Sequence, residues 1–197
     1  MTALLGDDYV LRATSPDDWL KAVTADFPAF LQDHAANERK ASAMAMSLVA
    51  HYPDRAVLVE AMIDLALEEL NHFRQVVRLM IPRDIPLAAD EKDPYVNGII
   101  RRIRKGPDLY FLDRLLTAAV IEARGAERFR LVGEAMSEPD LAVFYQTLAR
   151  SEANHHQLFI RLALTYYDEP VVASRLSEWL DIEAEVMHGL EIRARLH

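Results

Sequence analysis

Two short stretches, EELNHF at residues 68–73 and SEANHH at 151–156, place a glutamate three residues before a histidine. On a helix that spacing puts Glu69 and His72 on one face, and Glu152 and His155 on another. Those faces are apolar. Glu69 shares its stripe with Leu58, Met62, Leu65, Phe73, Val76 and Met80, and Glu152 shares its own with Leu141, Tyr145, Leu148 and Phe159. Two further carboxylates stand in apolar stripes: Glu38 among Phe27, Leu31, Ala35 and Val49, and Glu122 among Phe111, Leu115, Ala118 and Phe129. Bare carboxylates are expensive to bury and repel one another. Two divalent cations would neutralise four of them and satisfy their oxygens. Hard oxygen donors with two imidazoles suit iron, or manganese as the alternative, better than structural zinc.

The elements that must position these residues are delimited by proline and turn signals. Ser15-Pro16-Asp17-Asp18 reads as a helix start with Ser15 as cap. Long helices are expected at about 24–51 and 54–80, separated by HYPD. A long connection over 81–107 carries a short helical piece at about 94–105. Two more long helices follow at about 108–136 and 139–167, and a fifth at about 170–195. Two tight hairpins joined by one long crossover give the ferritin-like form of the four-helix bundle. The fold expected is therefore all-α, a single domain over 1–197, with a short N-terminal and a longer C-terminal accessory helix. Heights agree with this reading. Glu38 and Glu69 lie 15 and 16 residues from Pro53, so in an antiparallel pair they are level within ~1.5 Å. Glu122 and Glu152 are each 15 residues from Ser137. The two halves repeat, and six residues make one Glu4His2 set: Glu38, Glu69, His72, Glu122, Glu152 and His155. A third Glu-x-x-His pair, Glu185/His188, keeps polar company and reads as surface.

Around this set, His34 and Ser42 lie one turn either side of Glu38. Glu68, Ser151 and His156 are further candidates for supporting the ligands, because ligating histidines donate their other N–H to an acceptor. No buried lysine or arginine stands out as a rival partner for the carboxylates. Gly125 lies three residues beyond Glu122, where it would leave room beside the metals or permit close helix packing. The crossover clusters Arg101, Arg102, Arg104 and Lys105 near Tyr95, Tyr110 and Phe111. Such a patch can grip phosphates and stack a base, or be a solvated helix end.

Composition narrows the classes. The chain has no cysteine, which excludes disulfides, thiolate-bound iron and a rubredoxin-like module. Its formal net charge of −9 argues against nucleic acid except through a local basic patch. The apolar runs are too short for a membrane span, and the opening residues lack the pattern of a secretory signal, so a cytoplasmic protein is expected. The ligand set admits an oxygenase, a ferroxidase or iron store, a peroxidase, or a manganese catalase, and favours oxygen activation.

The segments NERKASAMAMSLVAHYPD, LALEELNHFRQV, DPYVNGIIRRIRKG, AAVIEARGAERF and ARSEANHHQLF together resemble the bacterial tRNA 2-methylthio-N6-isopentenyladenosine hydroxylases. The resemblance runs from about residue 20 to 195. It implies a ferritin-like non-haem di-iron monooxygenase. Such an enzyme inserts one oxygen atom from dioxygen, its co-substrate, into the isopentenyl side chain of a hypermodified adenosine beside the tRNA anticodon. It implies the same six residues as ligands of two iron ions, tRNA as substrate, and an external electron donor of the ferredoxin or reductase type. Arg101, Arg102, Arg104 and Lys105 are the expected contacts to the tRNA backbone.

Overall fold

The computed structural model describes residues 11–197. The first ten residues, on which the reading of the chain start partly rests, lie outside that range. Seven α-helices and no strand are found among the described residues: α1 Asp17–Ala25, α2 Phe27–His51, α3 Ala56–Met80, α4 Pro94–Ile100, α5 Pro107–Ala135, α6 Pro139–Tyr166 and α7 Glu169–His188. A 3-10 turn, Ile81–Arg83, follows α3. No helix among the described residues is long and apolar enough to cross a membrane.

The residues fall into two compact units. One comprises Lys21–Glu91 with Arg193–Leu196, and the other Lys92–Ile192 with His197 and the described residues up to Leu20. The first holds the α2–α3 hairpin. Asp26 starts α2 by accepting the Ala29 amide at 3.1 Å, an N-cap bond that satisfies one of the helix's orphan donors. Phe30, Leu31, Ala35, Ala45 and Leu48 of α2 are buried, as are Leu58, Met62, Leu65, Val76 and Met80 of α3. The spacing on each helix is that of one apolar stripe.

The second unit holds α5 and α6, with α7 packed on α5 and α4. α5 is buried over most of its circumference, as expected of a helix enclosed on more than one side. Gly133 lets α6 approach closely. A Cβ there would lie 3.1 Å from the Gln146 backbone nitrogen and 3.2 Å from the Ala142 carbonyl.

Two boundaries and one cap differ from the sequence expectation. α4 ends at Ile100 rather than near 105 because the Arg104 amide leaves the helical ladder and donates to Asp113 Oδ2 at 2.9 Å. α7 ends at His188 rather than 195, where the Gly189 amide closes onto the Glu185 and Val186 carbonyls. Ser15, expected as the cap of α1, turns to α5 instead: its hydroxyl donates to Glu127 Oε2 at 2.7 Å and accepts from Arg128 Nε at 3.0 Å.

Candidate metal centre

In the first unit, α2 carries Glu38 and α3 carries Glu69 and His72, all buried. Each offers one ligand atom within 4.8 Å of the others. His72 Nδ1 lies 3.6 Å from Glu38 Oε2 and 3.5 Å from Glu69 Oε2. Its Nε2 points the other way, 3.8 Å from Glu68 Oε1, which is half exposed. Burial pulls the His72 pKa down, but the Glu38 and Glu69 carboxylates outweigh it and raise the pKa to about 9. His34, fully buried on α2, places Nε2 2.7 Å from Glu38 Oε1 and so orients that carboxylate from the side opposite His72. Ser42 donates to the Ala66 carbonyl at 2.8 Å, which ties α2 to α3.

The second unit repeats the pattern. Glu122 of α5 and Glu152 and His155 of α6 are buried, again with ligand atoms within 4.8 Å of one another. His155 Nδ1 lies 3.8 Å from Glu122 Oε2 and 3.6 Å from Glu152 Oε2. His156 is turned aside, with Nδ1 2.7 Å from the Ala119 carbonyl. Only an Nδ1–H can satisfy that acceptor, so this bond sets the tautomer and leaves Nε2 as the basic nitrogen. Burial lowers the His156 pKa, against the opposing pull of the Ala119 carbonyl and Glu122. Ser151 is half-buried beside Glu152. A Cβ on Gly125 would lie 3.7 Å from Glu152 Cγ and 3.8 Å from its Oε2, ordinary contact, so Gly125 leaves space beside the carboxylate rather than permitting a backbone approach.

Each half thus presents two carboxylates and an imidazole, with one ring nitrogen of the histidine facing both acids. The set fits a hard or borderline divalent cation. The competing explanation, carboxylates held by buried cations, has to be weighed because Arg124, Arg128 and Arg175 are buried, contrary to the sequence reading. All three serve other acids or rings. Arg124 binds Glu183 at 2.7 and 3.0 Å and Glu127 at 3.0 Å. Arg128 stacks on Trp19 with its guanidinium 4.6 Å from the ring centroid, and Arg175 binds Asp113 twice at 2.8 Å.

These ionic groups are what the sequence reading missed. Asp113, with no exposed surface, accepts from Arg175, from Arg104 at 2.8 and 3.1 Å, and from Trp179 Nε1 at 3.3 Å. Glu183 joins Arg124 to the Tyr95 hydroxyl, which donates to it at 3.1 Å. The available signal was a charge set among large apolar residues (FLDRLL) or a long cation among small ones (EARGAE). Of the basic cluster, Arg104 is consumed by Asp113, and Arg102 pairs with Glu185 at 3.2 Å at the surface. Arg101 and Lys105 are exposed. Glu185 and His188 are exposed, as expected.

An all-α chain of two long hairpins, each turning two glutamates and a histidine into its core, defines a ferritin-like protein with residues suited to metal binding. A solved structure described as Protein 43 with aldehyde deformylating oxygenase activity from Synechococcus is similar to this fold. It has a TM-score of 0.91 and 34% identity, with 96% of each chain covered. The model of the tRNA-(MS[2]IO[6]A)-hydroxylase (MiaE) family matches residues 2–197. A Pseudomonas putida protein named tRNA 2-(methylsulfanyl)-N(6)-isopentenyladenosine(37) hydroxylase is 36% identical over 96% of this chain and 92% of its own length. A Salmonella typhimurium protein of the same name is 35% identical over 71% of this chain and 51% of its own length. The chain belongs to this family of tRNA-modifying hydroxylases.

Proposed function

We propose that this protein is a di-iron monooxygenase that hydroxylates the isopentenyl side chain of the hypermodified adenosine beside the tRNA anticodon. The observation that carries the reading is the repeated half-site, Glu38 with Glu69 and His72, and Glu122 with Glu152 and His155. It occurs in a chain whose family hydroxylates tRNA. In this reading both hairpins act as one domain, and the six residues hold two iron ions. When bound, the iron pair would supply the activation of dioxygen and the transfer of one oxygen atom to an allylic C–H bond of the isopentenyl group.

The chain's own residues have defined tasks. The glutamates provide anionic oxygens that balance the metal charge, and His72 and His155 present Nδ1 to it. The His34 hydrogen bond fixes the orientation of Glu38, as a supporting contact does in metal sites generally. Buried Leu65, Ala118, Phe129 and Phe159, with half-buried Phe73, supply an apolar wall that keeps bulk water from the reacting centre. Arg101 and Lys105, and Arg102 at the cost of its exposed pair with Glu185, are the backbone contacts for tRNA. Arg104 is a structural anchor for the same segment. Two electrons come from an external donor of the ferredoxin or reductase type.

The test is to incubate iron-loaded, chemically reduced protein with isopentenylated tRNA and dioxygen, then digest the tRNA and weigh its nucleosides. One added oxygen on the prenyl-adenosine, lost in Glu122→Ala, is the expected result. The solved relative favours a second reading, action on an aldehyde, and a parallel incubation with an aliphatic aldehyde separates the two. Aldehyde turnover with unchanged tRNA would overturn the first.

A further inference from the structure

The outer face of α3 carries an apolar stripe that the metal chemistry does not use. Ile63, Leu67 and Leu70 are 41%, 63% and 50% exposed. They stand at i, i+4 and i+7, so they form one line on the helix, on the side turned away from Glu69 and His72. The stripe ends in charges of opposite sign. Glu60 precedes it and Arg74 follows it, both exposed. The Arg74 guanidinium is held along the face by its hydrogen bond to Asn71 Oδ1 at 2.5 Å.

We propose that a second copy of this chain docks on this face, with the two α3 helices antiparallel about a two-fold axis through Leu67. The argument is one of register. Glu60 and Arg74 are each seven residues from Leu67, about 10 Å along the axis in opposite directions. An antiparallel copy centred on Leu67 therefore sets Glu60 against its Arg74, and Arg74 against its Glu60. Ile63 and Leu70 are four and three residues from Leu67, so each aliphatic side chain meets the other type across the axis, offset by about 1.5 Å. Leu67 packs on its own counterpart. A self-complementary patch is what an isologous interface requires. A different protein would need no such symmetry of charge and apolar positions.

The test is sedimentation equilibrium of the iron-loaded full chain over a wide concentration range. The wild type is expected to dimerise. Leu67→Glu, which sets two like charges on the axis, should raise the dimer Kd by about 30-fold or more without changing the melting temperature at concentrations where both proteins are monomers. Glu60→Arg alone should weaken the dimer, and adding Arg74→Glu should restore it by exchanging the charges. A wild type that stays monomeric throughout would overturn the proposal and leave the face to another protein. A dimer indifferent to Leu67→Glu, or a doubly reversed variant as weak as the single one, would place the contact elsewhere and overturn it equally.

Discussion

Asp113 makes a prediction whose size can be worked out from the structure. Its carboxylate has no exposed surface and receives two hydrogen bonds from Arg175, three from Arg104 (one from the amide, two from the guanidinium) and one from Trp179 Nε1. Asp113→Ala removes the counter-charge of a buried guanidinium, and breaking one side of a buried pair costs roughly 3–5 kcal/mol. For a chain of this size that is a fall in melting temperature on the order of 10 °C. The pH dependence supplies the check. Burial alone would raise the Asp113 carboxyl, but the bonds from Arg175 and Arg104 outweigh it and hold the pKa at about 2, against 3.8 for an unperturbed aspartate. A depressed folded pKa means that the unfolded chain binds the proton first. The ion pair's stabilisation is therefore complete above about pH 4 and lost as the pH falls toward 2. The difference of nearly two pKa units corresponds to roughly 2 kcal/mol. Urea unfolding of wild type and Asp113→Ala should thus give a gap that is constant from pH 7 down to about 5 and narrows below about 4. A gap under about 1 kcal/mol at pH 7, or one that stays constant into acid, would refute the argument.

Three other outcomes follow from the site. His34→Ala should weaken iron binding by about 10- to 100-fold, as removal of a ligand's supporting partner does, measured by competition with a chelator; unchanged affinity would remove His34 from the metal's support. Gly125→Ala should raise the melting temperature by about 2–4 °C, since alanine gains up to ~1 kcal/mol in a helix interior and its Cβ meets Glu152 only at ordinary contact distance; a fall would mean that the space beside Glu152 is structural. Arg101→Ala with Lys105→Ala should lower the slope of log affinity for tRNA against log salt by about 1–2 with folding intact, whereas Arg104→Ala should destabilise the chain; a salt slope unchanged in the double variant would place the tRNA contacts elsewhere.

The fold was legible in the sequence because its punctuation is local. Proline and turn residues at 52–54 and 137–139 bound the long helices, and the alternation of tight and long connections limits the topology. The inward glutamates and histidines were legible because helical periodicity exposes a charge in an apolar stripe. What periodicity cannot show is a charge satisfied from a distant part of the chain. Asp113 draws its partners from 104, 175 and 179, and Glu183 draws Arg124 from 59 residues away. Asp113 also ends α4 early, because it captures the Arg104 amide that a longer helix would have used. Arg104, read as a tRNA contact from its neighbours in sequence, is held instead by a residue nine positions on.

The central claim is that six residues, three from each hairpin, hold two irons as one coupled pair. Electron paramagnetic resonance of the iron-loaded protein after one-electron reduction tests it directly. A coupled pair in the mixed-valent state gives a signal from a single net unpaired electron, accounting for one spin per two irons. That signal should vanish in both Glu69→Ala and Glu152→Ala. Signals of isolated high-spin irons, with each variant losing one and keeping the other, would contradict it and leave two separate half-sites.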